Sequence, residues 1–240
     1  MQNGLYVALS SQIALEKRLD TLADNVANAN TVGFRATNVK FEDLVYGSGD
    51  KGIDFVTPGE TYLSQESGPM RETGNPFDFA VQGEAWFGIQ TPAGTVMTRD
   101  GRFTMLDTGA LVTLEGHPVL DAGGAAILLD PRGGPPTAGA DGTLLQDGAP
   151  VGAVGLFQFD PGPNFTRYGN SGVVPDTPPQ PVVDRSDVGI VQGFVEESNV
   201  NPVKEMTRLI MVQRAFENAA ALIRESESTF TEAVKTLGSK

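Results

Sequence analysis

Apolar residues recur at helical spacing along both ends of the chain and at strand spacing through its middle. Met1, Leu5, Ala8, Gln12, Leu15, Leu19, Leu22 and Val26 alternate steps of four and three, the seam of a coiled-coil-like helix, and Leu9 and Ile13 widen the stripe. The pattern dissolves at Asn28-Ala29-Asn30-Thr31-Val32-Gly33, where asparagines and a glycine supply left-handed conformations, so this helix is expected to end near residues 28–30. At the other end, Asn201-Pro202 offers a cap followed by proline at the first helical position. Met206, Leu209, Gln213, Phe216, Ala220, Ile223, Glu227, Phe230, Val234 and Leu237 then keep the same alternation. They predict a helix of about 36 residues, some ~54 Å long.

Between these ends the period switches to two. Ala85, Phe87 and Ile89 alternate with Trp86, Gly88 and Gln90, and Thr91-Pro92-Ala93-Gly94 turns the chain into a strand over 95–99. Asp100-Gly101 has the form of a type I′ hairpin turn leading into 102–106. Turns continue at short intervals through Asp107-Thr108-Gly109 and Glu115-Gly116, with later strands over 127–129, 144–145 and 154–159. Pro175 to Pro181 forms an extended connector, and residues 36–75 form a long arm joining helix to sheet. The expected fold is α+β: terminal helices 1–35 and 197–240 paired as a coiled-coil-like inner domain, the arm 36–75, and a central antiparallel β-domain over 76–196.

Composition sharpens this division. Of 29 glycines, Gly4, Gly33 and Gly238 alone lie in the two ends, and Pro202 is their one proline, so the ends can be long helices and the middle cannot. Charge divides the same way. Lys17, Arg18 and Arg35 balance Glu16, Asp20 and Asp24 at one end, six basic residues balance six acidic ones at the other, and the net −13 belongs to the middle. So acidic a chain lacks the cationic excess that nucleic acid or an anionic lipid surface requires, and neither is expected as a partner.

Chemistry is harder to find. The absence of cysteine removes disulfides, thiol catalysis and Cys-based zinc sites, and the single His117 before Pro118 is read as a strand-end residue. No Sec-type leader is recognised after Met1, and the longest apolar runs, 125–129 and 219–223, are far shorter than a membrane span. Gly47, Gly49 and Gly52 match G-x-G-x-x-G, but the following Ile53 to Pro58 reads as extended chain rather than as the helix a dinucleotide site needs, so a loop is expected. Asp78, Glu84, Asp100, Asp107 and Asp121 leave a glycosidase-like carboxylate pair open, although Asp100 and Asp107 occupy turn positions that favour aspartate for backbone reasons. No catalytic residue, metal ligand or cofactor is assigned.

Three stretches carry a resemblance. Residues 22–35, ending Asn25-Val26-Ala27-Asn28-Ala29-Asn30-Thr31-Val32-Gly33-Phe34-Arg35, resemble the motif that follows the first helix of the bacterial flagellar rod and hook axial proteins, with Asp24 in place of an asparagine. Asp78 to Gly83 and Thr98-Arg99-Asp100-Gly101-Arg102-Phe103 resemble motifs of that family's central β-domain, and Asn199 to Met206 with Gln213 to Glu217 resemble its C-terminal signature. Within the family, the chain length, the opening Met1 to Ala8 and the stretch Glu217-Asn218-Ala219-Ala220 favour the proximal rod over the longer distal-rod protein.

The resemblance implies a structural rather than catalytic role in the basal-body rod that spans the periplasm. The subunit would pass unfolded through the flagellar type III export apparatus and assemble helically with copies of itself and other rod proteins, the distal one included, to carry motor torque toward the hook. The residues it singles out for the assembly interface are Leu15, Leu19, Leu22, Val26, Met206, Leu209, Phe216, Ile223 and Phe230 on the helices. Asn25, Asn28, Asn30, Gly33 and Phe34 make up the helix-exit motif, with Gly33 as cap and Phe34 as anchor. Ordinary packing within one chain stays open for each, as do three other readings: the distal rod protein or another axial subunit such as that of the hook, a secreted β-domain hydrolase, and a coiled-coil adaptor that forms closed oligomers.

Overall fold

The computed structural model describes residues 2–41, 43–46, 53–57, 59–183 and 185–238. The Gly47–Gly52 motif lies outside the described residues, as do Met1 and the side chains of Leu5 and Phe230. The fold is α+β, with two long helices, α1 (Gln2–Ala27) and α2 (Pro202–Gly238), at the chain ends and short antiparallel strands between them. The chain forms two compact units, one of residues Met1–Ala27, Thr37–Thr61 and Asn201–Lys240, the other of Asn28–Ala36 and Tyr62–Val200.

In the first unit α1 ends at Ala27, where the asparagine-rich turn begins. α2 starts at Pro202 behind the expected cap: Asn201 Oδ1 accepts from the Lys204 N–H at 3.1 Å, satisfying a donor that has no partner within the helix. α1 lies against α2 and against the strands Thr37–Lys40 and Ile53–Val56, the latter paired antiparallel with Asp43–Tyr46. The face that α2 turns inward comprises buried Glu205 and Val212 and half-buried Leu209, Phe216, Ala219, Ala220 and Ile223.

The second unit is built on a six-stranded antiparallel sheet. Its spatial order is Thr166–Tyr168, Gly172–Val174, Gly94–Thr98, Trp86–Thr91, Leu156–Gln158, Gln180–Pro181. The alternation read at 85–90 holds on one face, where Ala85, Phe87 and Ile89 enter a core with Phe79, Phe103, Leu111 and Leu144. The Phe87 ring meets Phe103 edge-on at 5.2 Å. The opposite face is covered as well, because Trp86 packs with Leu63, Met97, Phe157 and Val173. A strand buried on both faces loses its polar alternation, which is why Trp86 and Gly88 are as hidden as their neighbours.

Asp100-Gly101 is not a hairpin turn. The strand before it pairs with Trp86–Thr91, whereas Phe103–Met105 pairs with Leu111–Thr113 in a separate two-stranded sheet. Glycine is required there for space: a Cβ at residue 101 would stand 1.7 Å from the Phe79 carbonyl oxygen. Asp100 fixes the bend by accepting from the Arg102 backbone N–H at 3.1 Å and its guanidinium at 2.6 Å.

Candidate assembly surfaces and the motif cluster

The helix residues singled out from sequence divide by exposure. Leu22 is buried, and Leu15, Leu19, Val26, Leu209, Phe216 and Ile223 are half-buried within the first unit. Met206 is not on the inward face: it is 50% exposed, and Val212, whose place in the seam had fallen to Gln213, is buried instead. The reason is that α2 carries two apolar stripes. Val203, Met206 and Ile210 step by three and four along one side, while Glu205, Leu209, Val212 and Phe216 do so along the other. At 3.6 residues per turn these stripes lie about a third of a turn apart. On the outer stripe Val203 is 74% and Ile210 52% exposed, and Met211 and Leu222 are exposed on the remaining side of the helix. On α1, Leu9 and Ile13 are exposed one turn apart. Sequence spacing missed Val203, Ile210, Met211 and Leu222 because an apolar residue every third or fourth position fits either stripe.

Asn25 has a structural role in the same unit. Its side chain is 2% exposed and imitates a β-strand partner: Nδ2 donates to the Thr37 carbonyl at 2.8 Å, and Oδ1 accepts from the Thr37 N–H at 2.9 Å. Nδ2 also reaches Glu205 Oε2 at 3.5 Å, and Glu205 in turn takes Arg208 Nη1 at 2.6 Å. One amide thereby ties the end of α1 to the following strand and to the first turn of α2.

Asn28, Asn30, Gly33 and Phe34 belong to the second unit. Asn28 closes the turn, its carbonyl accepting from the Thr31 N–H and its Oδ1 from the Thr31 hydroxyl, both at 3.1 Å, while Asn30 is exposed. Gly33 stands six residues beyond the last helical residue and so is not the cap. It adopts φ 71°, and a Cβ there would meet the Asp100 nitrogen at 2.2 Å, so glycine lets this segment run against the β-rich unit. Phe34 is fully buried, with the Arg167 guanidinium 4.3 Å from its ring centre.

Arg35 and Arg99, one from each of the first two stretches that carry the resemblance, and Asn199 from the third meet beside Phe34, with Glu196 between the arginines. Arg35 Nη2 and Glu196 Oε1 are 2.8 Å apart, Arg99 Nη1 and Glu196 Oε2 are 3.1 Å apart, and none of the three residues is more than 2% exposed. Around them Arg35 donates to the Gln65 and Glu66 carbonyls and Arg99 to those of Val81 and Gly83. Asn199 binds the Ala36 N–H through Oδ1 and Ser64 Oγ through Nδ2. Burial depresses both guanidinium pKa values, that of Arg99 to about 10, with Glu196 opposing the shift and the neighbouring Arg35 adding to it.

A cleft of about 280 Å³ borders this cluster, lined by Trp86, Phe159, Glu84 and Asp160 besides the two arginines. Most of the other carboxylates considered for acid/base work are held by local bonds: Asp78 by Asn75 Nδ2, Asp100 by Arg102, and Asp121 by the N–H groups of Gly123 and Ala125. Among the described residues no group of His, Asp and Glu could hold a metal ion, and no helix is long and apolar enough to cross a membrane.

Comparison with known proteins decides between a buried structural cluster and a catalytic one. The family profile described as "Flagella basal body rod protein" matches residues 5–35, "Flagellar hook protein FlgE/F/G D1 domain" matches 80–146, and "Flagellar basal body rod FlgEFG protein C-terminal" matches 191–235. The flagellar basal-body rod protein FlgF of Mesorhizobium japonicum is 71% identical over the full length of both chains. The chain belongs to the flagellar basal-body rod family. FlgF of Rhizobium meliloti is 55% identical over 99% of each chain, whereas FlgG of Bacillus subtilis, over 98% of each, is 30% identical. The similarity is therefore to the FlgF branch, with FlgG a distant relative. Membership makes this a structural component of the flagellar basal body and not an enzyme, which removes the hydrolase alternative.

Proposed function

We propose that the chain is a subunit of the proximal rod that assembles helically with copies of itself and with other rod proteins, the distal one included, and carries torque toward the hook. On this reading α1 and α2 pair as a coiled-coil-like inner domain, and the central β-rich region is the outer one. The observation that carries the proposal is the second apolar stripe of α2. Val203, Met206 and Ile210 are half or more exposed in a chain whose inward stripe is already occupied, and each such side chain contributes about 1.5–3 kcal/mol when fully buried. A surface of this kind, meeting a different surface of the next subunit, gives a contact that does not close and so propagates as a helix. Leu9 and Ile13, exposed on α1, are suited to the opposing surface.

Among the interface residues named from sequence, the half-buried set Leu15, Leu19, Val26, Leu209, Phe216 and Ile223 is assigned to pairing within the subunit, together with buried Leu22. Met206 is assigned to contact between subunits. Delivery through the flagellar type III apparatus and final residence across the periplasm fit a chain without cysteine to oxidise. Complementation tests the assignment. The gene should restore swimming to a strain lacking its FlgF-type rod subunit and not to one lacking its FlgG-type subunit. Rescue of the second strain alone would move the chain to the distal rod, and closed soluble oligomers without rescue of either would favour an adaptor.

A further inference from the structure

The β-rich unit buries a cluster whose charges do not balance. Arg35 and Arg99 are 2% exposed, Glu196 is 1% exposed, and Glu196 is the carboxylate in ion-pair contact with both among the described residues. The remaining acceptors of the two guanidiniums are neutral: backbone carbonyls and Ser67 Oγ. Glu196 has further tasks. Its Oε1 accepts from the Gly68 N–H at 3.0 Å and its backbone carbonyl from the Gly33 N–H at 2.7 Å. Without this residue, two like charges would be left together away from water, which is far costlier than burying the neutralised set.

The three charged residues come from distant parts of the chain. Arg35 lies in the first segment of the unit, Arg99 in its middle, and Glu196 at the end of the strand Phe194–Glu196, which pairs with Met70–Glu72 four residues before the unit ends at Val200. The carboxylate is thus the last member to leave any process that produces or delivers the chain from its N-terminus.

We infer that Glu196 is a closing latch: the β-rich unit buries Arg35 and Arg99 only once the strand Phe194–Glu196 brings this carboxylate between them, so the unit stays open until its last segment is in place. The latch does not depend on the rod reading, since it follows from charge and connectivity alone. For a subunit delivered unfolded, it would hold off closure of the β-rich unit until nearly the whole chain had passed. Glu84, exposed and lining the adjacent cleft, also acts on both arginines through its charge and serves as a control.

Trp86 reports on the latch. It is the single tryptophan of the chain, and the guanidinium carbons of Arg35 and Arg99 lie 5.8 and 5.2 Å from its ring centre. Refolding of the full chain from urea, followed by Trp86 fluorescence, should be at least tenfold slower in Glu196→Gln than in the parent. Glu84→Gln should refold at the parent rate, and the charge-free triple variant Arg35→Met, Arg99→Met, Glu196→Met should regain fast closure. Should Glu196→Gln fail to fold at all, the triple variant decides: its folding shows that the charges, not the shape, impose the wait. Refolding of Glu196→Gln at the parent rate, with its whole effect on unfolding, overturns the latch. So does failure of the triple variant to close.

Discussion

Replacing Asn25 by aspartate changes one atom type and should unfold much of the helical unit's stability. The amide donates to the Thr37 carbonyl at 2.8 Å and stands 3.5 Å from Glu205 Oε2, in a site where Asn25 is 2% exposed. A carboxylate oxygen in place of Nδ2 loses that donor and faces two acceptors. Two unit charges at this separation repel by about 4–5 kcal/mol at an effective dielectric of about 20, and the buried carbonyl left without a donor adds about 1–3 kcal/mol. Relaxation offsets part of the sum, and a loss of about 4 kcal/mol at pH 7.5 is expected. The sign of its pH dependence is fixed. The new carboxyl is pushed above its unfolded value of about 3.9, so below that value it is protonated in both states and the penalty vanishes. The penalty then grows as pH rises toward the folded pKa. Urea unfolding followed by circular dichroism at 222 nm, from pH 4 to 7.5, measures it, and Asn25→Asp with Glu205→Gln should recover the charge-charge part in a double-mutant cycle. A loss under about 1 kcal/mol, or one of equal size at pH 4 and 7.5, would show that the Asn25 amide is not held between these acceptors.

Other consequences follow from contacts of the same kind. Gly101→Ala and Gly33→Ala drive a Cβ into backbone atoms at 1.7 and 2.2 Å and should each cost more than about 3 kcal/mol. Gly94→Ala, with φ 101° but nothing within 4 Å of the added carbon, should cost about 1–2 kcal/mol, all three being read from thermal melts. Asp141 is held below the usual 3.8 by the Thr143 hydroxyl and, next, by the Thr143 backbone N–H. Carboxyl NMR titration should find its midpoint low in the parent and raised in Thr143→Ala. Its small contribution to stability is present above the ordinary aspartate range and lost as pH falls through the folded value. Met206→Ser with Ile210→Ser removes apolar groups that are 50% and 52% exposed in the monomer. Monomer stability should change by less than about 1 kcal/mol while swimming is lost, and a melt shifted as far as for a core substitution would place these residues inside the subunit.

The helix ends were legible because each rests on a local signal. Asn201-Pro202 caps α2 through a bond three residues away, and the asparagine turn after Ala27 is written in adjacent residues. The antiparallel β-rich middle was legible for the same reason, since strands of a few residues separated by glycine turns carry their own punctuation. The phase of α2 was not legible, because Val203, Met206 and Ile210 compete with Leu209, Val212 and Phe216 for the same periodicity. Asp100-Gly101 misled because glycine serves a turn and a close approach equally well, and only the Phe79 carbonyl opposite distinguishes them. The pairing within the Arg35, Arg99 and Glu196 cluster is not written in local sequence, since 97 residues separate Arg99 from its partner. One hint was available: Arg99 directly follows Val96-Met97-Thr98, an unusual place for a guanidinium unless something buried neutralises it.

A photo-crosslinking residue placed at Ile210 or at Val212 in assembled basal bodies reads whether neighbouring subunits cover the outer stripe of α2 in the rod. Val212 is 8% exposed and Ile210 is 52% exposed. Position 210 should yield adducts to other axial subunits or to a second copy, and position 212 only intramolecular products. Functional rods in which position 210 yields no intermolecular product would contradict that covering of the stripe.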